Sequence, residues 1–285
     1  MTATEVLDDL QHPEDEASKR ALGSSFYAAM RIMPPGQREA MFEIYSFCRA
    51  VDDIADDIEG DAEGRLRKLD LWRRDIDAVY RGESVRGLSG LAVAVRDFGL
   101  EREDFRAVID GMETDVHGPV QAPTFNDLDL YCDRVASAVG RLSVKVFRMP
   151  DHAGRELSEH LGRALQLTNI LRDLDDDAAI NRLYLPREFL ADEGIESTDP
   201  DTVLAHPALG EVCNRIVKLA RWHFTEADRI MKAHPRRMVR TPRVMSEAYK
   251  AILSGLIKRG FKTPRTRVKL SKPRIVYIVL RHCIV

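Results

Sequence analysis

The sequence predicts an all-α protein, and three observations carry that expectation. Apolar residues recur at spacings of three and four over long windows, strand-like alternation is nearly absent, and the interruptions fall at Pro and Gly. The helical windows run over 35–58, 64–82, 101–117, 125–148, 155–177, 208–232 and 243–260. Pro34-Pro35-Gly36, Gly118-Pro119, Pro123, Pro150, Pro186, Pro207 and Pro235 mark the breaks, because proline has no N–H to donate inside a helix. The apolar, β-branched segment Ile275 to Leu280 fits a helix, a strand or a docking strip equally well.

The 285 residues, 44% apolar and 31% charged, have the balance of a soluble globular chain. They divide into a polar N-terminus expected to be flexible (1–20), a helical domain (21–260) and a basic C-terminal tail (261–285). No apolar run approaches the roughly 18 residues of a membrane span. Residues 1–20 lack the basic start and apolar stretch of a signal peptide, and the four cysteines show no paired spacing, so a reducing cytoplasm is expected. The net charge of −3 hides an asymmetry: residues 248–285 hold ten Lys or Arg and no acid, which leaves −13 for the chain before them. Such an end suits a phosphorylated substrate, anionic lipid or nucleic acid, and equally a solvated terminus.

Two acidic clusters carry the chemistry. In the first helical window, Met41, Ile44, Cys48, Val51, Ala55 and Ile58 form an apolar row, and Tyr45, Arg49, Asp52 and Asp56 lie one residue further on, about 100° round the helix. The window 155–177 repeats the pattern, with Leu161, Ala164, Leu167, Leu171 and Leu174 beside Gln166, Asn169, Asp173 and Asp177. Carboxylates crowded at i and i+4 repel, so a cation should compensate. Mg²⁺ takes oxygen ligands and bridges carboxylates to substrate phosphates, so two facing acidic rows suit a metal-diphosphate clamp. Solvated helix ends are the competing reading of either cluster alone.

With these motifs in view, the chain resembles the squalene and phytoene synthase family of head-to-head prenyl transferases. The resemblance rests on Ser24-Ser25-Phe26-Tyr27, Tyr45 through Asp56, Tyr131 through Gly140, Gln166 through Asp177, and Arg182-Leu-Tyr184-Leu-Pro186. It implies an isoprenoid-synthase helical bundle around a central apolar cavity, with Mg²⁺ held by Asp52, Asp56, Asp173 and Asp177 and supported by Asp53, Asp176 and Asn169. Ser25, Phe26, Tyr27, Tyr45, Arg49, Gln166, Arg182 and Tyr249 are then expected at the substrate, with Val135 and Gly140 leaving room for a prenyl chain. By its residues alone Tyr131 reads as a core filler; the resemblance places it near the reacting carbons.

Residues 131–147 and 264–274 resemble the branch that joins two farnesyl diphosphates and stops at presqualene diphosphate, on the route to squalene and hopanoids. Products such as phytoene, dehydrosqualene or squalene fit the same fold, and an inactive membrane-associated assembly factor is the reading from another class. Gly23 stands where the family often has a serine, and Asp175 makes the second motif unusually acidic. The histidines show no zinc-ligand spacing, and neither a GxGxxG nor a GxxxxGK[ST] loop occurs, so no nicotinamide cofactor is expected. The expected partners are an isoprenyl diphosphate, an anionic membrane surface reached through the basic tail, and downstream enzymes, but no nucleic acid.

Overall fold

The computed structural model describes residues 30–31, 33–57, 61–118 and 120–283, so the polar stretch 1–20 and the motif residues Ser25, Phe26 and Tyr27 lie outside it. Thirteen α-helices follow one another among the described residues: α1 (Pro35–Ala55), α2 (Ala62–Tyr80), α3 (Ser89–Phe98), α4 (Arg102–Val116), α5 (Phe125–Cys132), α6 (Ala138–Val146), α7 (Asp151–Arg172), α8 (Leu174–Ala179), α9 (Arg187–Asp192), α10 (Pro200–Ala205), α11 (Leu209–Lys232), α12 (Arg236–Arg259) and α13 (Lys272–Cys283). The only extended pairing described is an isolated bridge between Gln121 and Leu183.

The prolines act as anticipated: Pro34, Pro150, Pro186 and Pro235 stand immediately before helices, where a missing N–H costs nothing. Three windows differ in detail. The stretch 125–148 is interrupted by a π-helical turn, Asp133–Ser137, which adds a residue to the turn beside Tyr131. The window 155–177 breaks at Asp173; restarting the helix there puts Asp175, Asp176 and Asp177 in the first turn of α8, where the helix dipole favours negative charge. Helix α12 begins at Arg236, directly after the break at Pro235 and ahead of the window 243–260, and runs through Pro242.

Helix α7 is the centre of the bundle, packed between α6 with its π-turn, α11 and α12, while α1 packs on α3, α4 and α6. Two glycines permit this closeness. A Cβ at Gly162 would sit 2.7 Å from the Ser137 backbone nitrogen, and one at Gly140 would sit 2.8 Å from the Ser158 Cβ. The tail is docked rather than free: residues 260–271 are irregular, and α13 packs on α12 with Ile278 and Val279 buried.

Candidate active site

The helices α1, α6, α7 and α12 surround a cavity of about 260 Å³. Its deep part is apolar, lined by Met41, Ile44, Val139, Leu157, Leu161 and Met245, because the inward row of each helix carries no charge there. Its mouth is polar: Tyr45, Arg49, Asp52, Gln166, Asn169 and Tyr249 all line it. Val135 and Gly140 line it too, so the small residues that let α6 approach α7 also shape the chamber. Burial, and then the Asp52 charge, pushes the lining thiol of Cys48 up to about 12, so it stays neutral.

The remaining acids gather at the rim. Asp53 and Asp52 share Arg49, at 2.9 and 2.5 Å. The Arg182 guanidinium donates to Asp56 at 3.0 Å and lies close enough to Asp177 to offset its charge, so one cation joins the two clusters. Arg182 is held there by its own loop. Leu183 N–H donates to the Val120 carbonyl, Ala122 N–H donates to that of Leu183, and Arg182 N–H closes onto the Asp177 carbonyl. Burial, and then Asp56, raises Asp52 to about 6; burial, and then Asp173, raises Asp177 to about 7. Both carboxylates are thus crowded enough to favour an added cation.

The Arg172 guanidinium donates to Asp173 at 2.8 and 2.5 Å, with the Tyr249 hydroxyl within reach. From the tail, Arg267 reaches Asp173 at 3.6 Å and Asp176 at 3.2 Å. Arg265 clasps Asp175 at 2.6 Å, which explains the extra acid of the second motif: it is the anchor of the tail.

Tyr131 does not line the cavity. Its ring stacks on Tyr184 at 4.9 Å, and both hydroxyls donate to Asp115, at 3.1 and 2.9 Å. Burial raises the Asp115 carboxyl above the usual range, opposed first by Arg182. Burial, then Asp115, holds the Tyr131 hydroxyl far above its ordinary value, so it is protonated at neutral pH. Asp115, Tyr184 and Arg172 join the site without having been singled out for it. Asp115 ends an otherwise unremarkable helical window, and only its burial, 7% exposed, marks it.

No three acids among the described residues lie close enough to cage an ion by themselves. The donor set nevertheless fits Mg²⁺ shared with a diphosphate, which needs only one or two carboxylates per ion. All its members are hard oxygens, two are raised by burial and then by neighbouring acids, and the buried Asn169 Oδ1 at the mouth has no hydrogen-bond partner among the described residues.

An apolar chamber closed by carboxylates and arginines has the shape and charge of a ligand site that takes an apolar chain with a charged end. The chain belongs to the squalene/phytoene synthase family, whose model matches residues 19–274. It is 57% identical to the presqualene diphosphate synthase of Rhodopseudomonas palustris, over 93% of this chain and 95% of that one. It is 53% identical to the enzyme of the same name from Sinorhizobium fredii, over 93% and 94%. The squalene synthase HpnC from Alicyclobacillus acidocaldarius superposes with a TM-score of 0.77 at 26% identity, covering 91% of this chain and 97% of that one. A ligand-bound dehydrosqualene synthase shares the fold at a TM-score of 0.81 and 22% identity, over 98% and 96%.

Proposed function

We propose that this protein is a prenyl transferase that condenses two farnesyl diphosphates head to head into presqualene diphosphate. The observation that carries the reading is the meeting of two aspartate clusters around Arg182 at the mouth of an apolar chamber. The identity above 50% to relatives named for this product supports it over the other products of the fold.

Asp52, Asp56, Asp173 and Asp177 would hold Mg²⁺, with Asp53, Asp176 and Asn169 in support; bound there, the metal supplies charge neutralisation for a departing diphosphate. Arg49, Arg172 and Arg182 present forked donors that match phosphate oxygens. The apolar wall keeps water from the allylic cation left behind, so the second substrate's double bond is the nucleophile that reaches it. Loss of a proton then closes the cyclopropane. Tyr131 is a neutral hydroxyl already donating to Asp115, so the acceptor we propose is the released diphosphate. Reduction to squalene would need a hydride donor, and no nicotinamide is assigned.

The deciding experiment supplies farnesyl diphosphate and Mg²⁺, with and without NADPH, counts pyrophosphate, and identifies the product by mass spectrometry. One pyrophosphate per two substrates, with a cyclopropyl product that keeps a diphosphate, is expected in both conditions. Two pyrophosphates and a hydrocarbon would overturn the presqualene assignment while sparing the chamber and its clusters. No turnover of any prenyl diphosphate would point to the inactive assembly factor. The wider setting proposed is the route to hopanoids, at the cytoplasmic face of a membrane. No described helix is long and apolar enough to cross one.

A further inference from the structure

A second cavity, of about 570 Å³, opens at the end of the bundle away from the aspartates. Met33, Pro34, Phe98 and Met238 give it apolar walls, and Arg148, Arg237 and Arg240 line it as well; among the described residues that line it none is acidic. Its place follows from α1: Gln37 lines this groove and Asp52 lines the chamber's mouth, roughly 22 Å apart along the axis at ~1.5 Å per residue. Phe147 and Thr241 line both spaces and form the wall between them.

Among the described residues no carboxylate pairs with Arg148, Arg237 or Arg240, and the three lie together on this one groove. Arg148 lies instead over the Phe98 ring, 5.5 Å from its centre. Guanidinium groups with no described carboxylate partner, set together round an apolar groove, match a ligand with phosphate at one end and hydrocarbon at the other.

We propose that this groove seats an anionic phospholipid and so docks the protein on an anionic leaflet. The arginines take the headgroup phosphate, and Met33, Phe98 and Met238 take the first part of an acyl chain. The orientation follows from charge. The acidic rim, repelled by anionic lipid, faces water at the far end of the bundle, and the basic groove faces the membrane. This surface is distinct from the basic tail, where Arg265 and Arg267 are already engaged by Asp175, Asp173 and Asp176.

The test is sedimentation of the full chain, without substrate, with vesicles of phosphatidylcholine alone or mixed with phosphatidylglycerol. Binding is expected only to the mixed vesicles. The variant R148Q/R237Q/R240Q should lose on the order of a hundredfold in partitioning, about fivefold per arginine, while the tail variant K269Q/K272Q/R274Q stays within about threefold of the parent. Circular dichroism and turnover in detergent check that the groove variant is folded, and the single exposed change R237E serves if it is not. Unaltered binding of the groove variant, or equal loss in both variants, overturns the proposal. So does binding seen only after removal of the acidic residues 1–20, which would assign the groove to the chain's own N-terminus. A change of oligomeric state in the groove variant would assign it to a second copy and overturn it likewise.

Discussion

Asp52 and Asp173 are held by different arginines yet serve the same rim, and each is crowded by other acids. Replacing either with alanine relieves repulsion, so helical content should persist in circular dichroism. Turnover should fall at least ~10²-fold, the usual cost of removing one electrostatic stabiliser of a developing charge. Loss of folding without a selective loss of Mg²⁺-dependent diphosphate binding would make the acids structural. Away from the site, His223 faces His160 at 3.1 Å, and burial, then His160, lowers its pKa to about 4. An unfolded histidine binds its proton near 6.5, so between about 6.5 and 4 the unfolded chain holds more protons. Stability present above 6.5 is therefore lost as pH falls toward 4. In His223→Gln that acid limb should flatten; a denaturation series at pH 7, 6 and 5 that runs parallel to the parent would refute this.

At the scale of elements, Arg265 is the most buried anchor among the charged side chains of the segment between α12 and α13. The Arg265 side chain is 2% exposed, clasps Asp175, and donates to the carbonyls of Leu204 and Phe261. Hydrogen bonds from a charged donor contribute about 1.5–3 kcal/mol, so Arg265→Ala should destabilise the chain by that order. Hydrogen exchange should accelerate across residues 261–271 first, with α7 and α11 still protected. Uniform acceleration through the bundle would instead show that the tail and core unfold as one unit. The same segment carries Arg267 to Asp173 and Asp176, so the tail and the second acidic cluster balance each other's charge.

For the whole molecule, the chamber's mouth is assembled from α1, α7, α8, α12 and the loop at Arg182, so a ligand that bridges the clusters ties the bundle together. Farnesyl thiodiphosphate, a slow-reacting analogue, should raise Tm by about 5–10 °C at saturating concentration when Mg²⁺ is present. Neither component alone should do so, and chelation should reverse the shift. A full shift without metal would mean that arginines alone hold the diphosphate.

By itself the sequence determined the helical class, the main breaks and the two polar rows, because helix period and proline chemistry are local properties. The inward rows of α1 and α7 are legible for that reason, and Tyr45, Arg49, Asp52, Gln166 and Asn169 do meet at one mouth. Only the tertiary structure decided which cation joins the clusters, since Arg182 and Asp56 stand 126 residues apart. It also decided that Tyr131 donates to Asp115 across a helix pair, and that Asp175 anchors the tail instead of facing the substrate. These are pairings of charge and hydrogen bonds between distant segments, and no periodicity within one segment records its partner.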